Sequence, residues 1–327
     1  MNDKQFSENE IKLTDRGTLT PKDAGITFSL TPIIMLAASI VFTAALSIIA
    51  AAKGQSTSEF LAEAENTFLY NAVSFSLSSL ALVLTVAASS FIVKKRPFAP
   101  VAYGKFRVKY LFLALAISFG LLFGFSSLNE FFISALEKIG YNKPDMYIPN
   151  DSLWQLAVWL LLAAALPAFL EETVFRGYIG GGLKDAGVAF VTLVGGILFS
   201  LFHQNPQQTP YQFVCGAAFF LVAYKCGSVL PCVIMHFINN AAVLVFDFFK
   251  IGDFGAGADA ALTISGVVIF AAAIVYLLFF DKDGTPNRPQ GEVKPQAKTF
   301  FAFSAVGIAA CLFTWILDFV TYGGFNG

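Results

Sequence analysis

The stretch SLWQLAVWLLLAAALPAFLEETVFR, Ser152 to Arg176, decides the fold. From Leu153 to Leu170 it holds no ionisable side chain. A membrane-spanning helix needs about 20 mostly apolar residues, so this run is predicted to cross a bilayer. It closes on two adjacent acids, Glu171 and Glu172, with Arg176 four residues after Glu172. Ionisable groups at membrane depth are costly and mark functional sites.

The rest of the chain reads the same way. Its 327 residues are 56% hydrophobic and 13% charged, with 37 Phe. Nine runs are candidate spans: 27–52, 68–93, 110–128, 152–175, 187–205, 211–225, 229–247, 260–280 and 299–320. The sixth is short. The fold expected is an all-α polytopic bundle of about 8–9 transmembrane helices. Segments 53–66 and 129–151 read as surface helices, the second ended by Pro144 and Pro149. The division expected is a cytoplasmic tail over 1–25, an N-terminal transmembrane region over 26–150, a catalytic core over 151–250 and a C-terminal transmembrane region over 251–327. No removable signal peptide is expected in the polar first 26 residues. The cysteines, Cys215, Cys226, Cys232 and Cys311, read as small packing residues.

Net charge is only −1, but the charges are sorted by side. With the N-terminus in the cytoplasm and nine alternating spans, 17 of the 21 Lys and Arg fall inside and 4 outside. That split follows the positive-inside rule. The clearest loop is 94–109, with Lys94, Lys95, Arg96, Lys105, Arg107 and Lys109 and no acid. An integral, multi-pass location is expected, in the plasma (inner) membrane for a bacterial chain. The surroundings expected are the lipid bilayer, with no nucleic-acid partner.

The only two histidines, His203 and His236, also lie in apolar runs. In Phe199-x-x-x-His203 and His236-x-x-x-Asn240 the four-residue spacing puts both side chains on one helical face. Glu172 and Arg176 share a face and pair, which frees Glu171. A carboxylate in a dry site suits a general base. Glu171 and His203 would hold and activate water, while His236 and Asn240 would stabilise a tetrahedral oxyanion. Asn239 faces elsewhere, as a packing residue. Taken singly, each motif also fits a helix end or an interhelical hydrogen bond. Together they are a sufficient set for amide hydrolysis.

The order Glu-Glu-x-x-x-Arg, Phe-x-x-x-His, His-x-x-x-Asn resembles the CPBP family of CAAX proteases and bacteriocin-processing enzymes, also called Abi. Its eukaryotic relatives are the type II CAAX prenyl endopeptidases. Glu171, Glu172, Arg176, Phe199, His203, His236 and Asn240 all match, and the resemblance covers roughly 150–249. It implies an all-α intramembrane protease, with Glu171 as the base, acting on a membrane-embedded or membrane-anchored peptide or protein. It does not extend to assigning a prenylated tail as the substrate.

Glu171, His203 and His236 could alternatively form a His₂Glu zinc set of metalloendopeptidase type. That would leave no general base, since Glu172 is committed to Arg176, so no cofactor is expected to be required. The competing functions are a proton-coupled transporter and a non-catalytic membrane scaffold. Assembly also sets a condition. If the fourth span stopped at Glu171, up to about 30 Å would separate it from His203. The helix must therefore continue past Arg176, with Gly180-Gly181-Gly182 ending it, and Pro167 is predicted to kink it just before the site.

Overall fold

The computed structural model describes residues 18–144, 148–252 and 254–324. Of the expected tail, residues 1–17 lie outside that range. The first helix, α1 (Pro21–Ala52), begins before the predicted 27, because Thr20 accepts from the Asp23 N–H and Asp23 returns the bond in a capping box. A short surface helix, α2 (Thr57–Ala64), follows as predicted, and then α3 (Phe68–Ile92).

The third span is longer than its sequence suggests. Helix α4 (Lys109–Lys138) runs through a π-helical turn at Gly120–Phe125 and takes in much of the segment predicted as a separate surface helix. No proline interrupts 109–138, so nothing forces a break. The remaining helices are α5 (Leu153–Ala186), α6 (Val188–Phe202), α7 (Thr209–Cys226), α8 (Leu230–Phe249), α9 (Ala256–Phe280) and α10 (Val293–Tyr322). Among the described residues the fold is helical throughout, apart from an isolated bridge between Tyr141 and Gly323. Seven helices are long and apolar enough to cross a membrane. The shorter α6 and α7 stand where the fifth and sixth spans were predicted.

Hydrogen bonds sort the connections into two ends of the bundle, in the alternation that nine crossings require. At one end Lys95 Nζ donates to the Thr18 carbonyl, the Val229 N–H to Ala102, Gln290 to Asp185 and Thr285 to Lys225. At the other end Asn142 donates to Tyr322, the Gln207 side chain to Lys143, and Trp315 Nε1 to Thr209. The first end gathers the basic loop 94–109. Large apolar side chains cover the outside of the bundle, with Phe91 84% exposed. That is how a helix bundle meets lipid rather than water.

Helix α5 meets the assembly condition. It continues past Arg176 to Ala186, and Gly187, at φ 85°, ends it. Gly180-Gly181-Gly182 stays helical instead of terminating the helix. The reason is space. A Cβ on Gly182 would stand 2.5 Å from the Thr20 carbonyl oxygen, so glycine here lets α1 enter against α5. Upstream, Pro167 is accommodated by a π-helical turn at Leu160–Ala165, and a second one spans Thr173–Ile179. Such turns often flank functional positions.

Candidate functional site

The site is built where α5, α6, α7 and α8 meet. Glu172 and Arg176 are both buried. Arg176 Nη1 donates to Glu172 Oε1 at 2.9 Å, and Nη2 to the Gly216 carbonyl at 3.1 Å. Three rings enclose the guanidinium, those of Phe199 at 4.4 Å, Phe220 at 4.6 Å and Phe219 at 5.1 Å. A planar, weakly hydrated cation stacks on rings as an ammonium cannot. Arg176 thus belongs to the bundle interior and not to a loop. Gly216 makes the contact feasible, since a Cβ there would lie 2.9 Å from that of Phe199.

His236 joins the same acid. Its Nδ1 lies 2.9 Å from Glu172 Oε1. A carboxylate can only accept, so Nδ1 carries the proton and Nε2 points away from Glu172. Glu172 therefore orients His236 as well as pairing with Arg176, a role the i,i+4 reading missed. No spacing in the sequence could find it, because the partners come from α5 and α8. The fixed tautomer has a consequence. His236 Nε2 donates a hydrogen bond only in the imidazolium form.

His203 caps the end of α6. Its Nδ1 donates to the Phe199 carbonyl at 2.8 Å, and its ring meets the Phe199 ring edge-on at 4.8 Å. When neutral, this histidine leaves Nε2 as an acceptor. Glu171 is tucked beside the cluster, within electrostatic reach of His236, Glu172 and Arg176. Its Oε2 is buried without a hydrogen-bond partner, which is costly unless a ligand or water completes it.

Asn240 sits one turn beyond His236 on α8. Its Nδ2 donates to the Ala163 carbonyl at 3.2 Å. Ala163 is four residues before Pro167, the position whose carbonyl a proline deprives of its α-helical donor. The carboxamide has two N–H groups, so one remains for a ligand. Asn239 is more than packing: its Oδ1 accepts from Tyr211 Oη at 2.6 Å. Thr173 bonds back to the Phe169 carbonyl and meets the hydroxyl of Tyr103, which stacks on Phe169. Tyr103 arrives from the basic loop, and nothing in the sequence pattern singled it out.

A zinc ion would need Glu171, His203 and His236 to converge. Among the described residues no three His, Cys, Asp or Glu side chains are grouped to hold a metal. Both histidines turn Nδ1 to an acceptor, the Phe199 carbonyl and Glu172, and keep Nε2 open.

Fold and site together define a polytopic helical membrane protein with a buried acid–histidine–arginine cluster. Residues 153–242 match the family described as Type II CAAX prenyl endopeptidase Rce1-like. That segment runs from the start of α5 into α8 and contains every motif residue from Glu171 to Asn240, so the resemblance to the CAAX protease family holds over the site itself. Comparison with curated proteins and with solved structures gives no match.

Proposed function

We propose that the protein is an intramembrane endopeptidase that hydrolyses a peptide bond in a membrane-embedded or membrane-anchored substrate. The observation that carries the reading is Glu171. Its buried Oε2 has no hydrogen-bond partner, and neither of its oxygens is tied to Arg176 or His236, whereas Glu172 gives Oε1 to both and leaves only its own Oε2 unpaired. One carboxylate builds the site and the other is left for chemistry.

Glu171 and His203 Nε2 are both acceptors, so together they accept hydrogen bonds from the two O–H groups of one water and leave a lone pair for the carbonyl carbon. Glu171 accepts a proton during attack and returns it to the leaving amine. The new C–O bond forms as the C=O pair moves to oxygen, where the His236 imidazolium and the free Asn240 N–H receive it. Glu172 is the one anionic partner at His236 Nδ1, and it shares the same oxygen with Arg176. No step needs a metal. With the basic end of the bundle facing the cytoplasm, the N-terminus lies inside. The family match supports a CAAX-type protease, and the prenyl group of the substrates in that family's description is not carried over to this chain. The test is cleavage of a membrane-peptide library by purified wild-type protein and Glu171→Gln, each with and without a strong chelator.

A further inference from the structure

At the end of the bundle opposite the basic loop, a cavity of about 600 Å³ opens between α4, α8 and α9. That volume is in the usual range for a ligand site. Tyr211 and Asn239 line it, which brings it to the residue next to Asn240 and so to the edge of the proposed catalytic centre.

Helices α4 and α9 cross closely here. A Cβ on Gly124 would stand 2.7 Å from the Val267 nitrogen, and Ser127 Oγ lies 3.1 Å from Thr263 Oγ1. The two helices run antiparallel through these contacts. Glu130, three residues after Ser127, and Asp259, four before Thr263, therefore stand one turn further out on facing surfaces. Both line the cavity, and among the described residues no Lys or Arg does. Neither carboxylate has an ion-pair partner among the described residues. Asn129 Oδ1 is buried on the same wall without a hydrogen-bond partner. Apolar area from Phe123 and Phe246, rings 6.2 Å apart, completes the lining.

We propose that this cavity is the substrate-binding chamber of the protease, and that Glu130 and Asp259 select a cationic Lys or Arg side chain at a fixed distance from the cleaved bond. The inference rests on the endopeptidase reading. A cleft lined by one sign of charge concentrates the opposite sign. The rings hold the aliphatic stem of the side chain, and Asn129 Oδ1 accepts a backbone N–H of the bound chain.

The experiment uses purified full-length protein and paired peptides that differ only by Lys or norleucine at each position. The wild type should cleave the Lys peptide of one pair at least about tenfold better in kcat/KM, and the advantage should shrink with added salt. The Glu130→Gln/Asp259→Asn variant should lose that preference while still cutting the norleucine peptide. A preference that is absent in the wild type, or intact in the variant, overturns the proposal. Fluorescent versions of the same pairs, titrated onto Glu171→Gln protein, read the selectivity without turnover. Lys selectivity in binding with no cleavage by the wild type would keep the chamber and sink the protease reading. Cleavage without Lys selectivity in either assay would do the reverse, and neither binding nor cleavage of any peptide would overturn both.

Discussion

Arg176 places its guanidinium carbon 4.4 Å from the centre of the Phe199 ring, and that contact sets the register of α5 against α6. The two helices run in opposite directions. One turn back from Arg176 is Glu172, and one turn forward from Phe199 is His203. Pairing the two inner members therefore brings the outer members level. The Glu-Glu-x-x-x-Arg and Phe-x-x-x-His motifs are two halves of one antiparallel contact.

Arg176→Ala should damage the fold before the chemistry. It strands Glu172 as a buried charge with only His236 beside it, and breaking such a pair costs about 3–5 kcal/mol. Arg176→Lys should recover little, because an ammonium neither stacks between three rings nor reaches both Glu172 and Gly216. Thermal unfolding in detergent checks this. A Lys variant as stable as wild type would contradict the stacking account.

His236→Ala and Asn240→Ala should each lower kcat by about 10²–10³, as expected for a lost oxyanion donor. They should differ in stability. Asn240→Ala also uncaps the carbonyl that Pro167 leaves open at Ala163, a loss of about 1 kcal/mol. Restoring a donor four residues on, with Pro167→Ala, should return that stability and leave kcat low. A double variant with normal turnover would remove Asn240 from the catalytic set.

Gly182→Ala should destabilise the protein although it lies away from the chemistry. The added methyl would meet the Thr20 carbonyl oxygen at 2.5 Å and the Ala24 methyl at 2.8 Å, so the start of α1 must move. Overpacking of this kind costs about 1–3 kcal/mol. Gly257, helical like Gly182 but with nothing within 4 Å of an added Cβ, is the matched control for crowding alone.

Acid should loosen the basic end. Lys109 bonds to Asp281 at 2.6 Å and Asp283 at 2.9 Å, and Arg107 reaches Asp283 at 2.7 Å. Burial alone would raise the Asp281 carboxyl, but hydrogen bonds from Lys109 and Tyr110 outweigh it and hold it low. Hydrogen bonds from Lys109 and Arg107 hold Asp283 low too. For carboxyls depressed in the folded state, stability is present above their ordinary range, near pH 4, and is lost as pH falls below it. The melting temperature should drop there, and less in Lys109→Met. Equal acid sensitivity in both proteins would assign the effect elsewhere.

Much of this was legible in the sequence, and the gaps have physical reasons. Hydropathy located each long helix, because a bilayer forces the backbone to satisfy itself within a segment. It misjudged Gly180-Gly181-Gly182, since a helix tolerates glycine where another chain must come close. The Glu172–Arg176 pair followed from spacing alone. The second partner of Glu172, His236, did not, because the contact joins helices 64 residues apart in sequence. The π-helical turns around Leu166–Glu172 carry no sequence signal beyond Pro167, and they help aim the two adjacent acids differently.

The central claim is that Glu171 is the group that activates water. Purified Glu171→Gln, folded and unfolding at the wild-type temperature, should cleave no member of a membrane-peptide library that the wild type cuts, while a strong chelator leaves the wild-type rate unchanged. Full activity in Glu171→Gln would contradict the mechanism, and wild-type cleavage abolished by the chelator would move Glu171 into a metal shell.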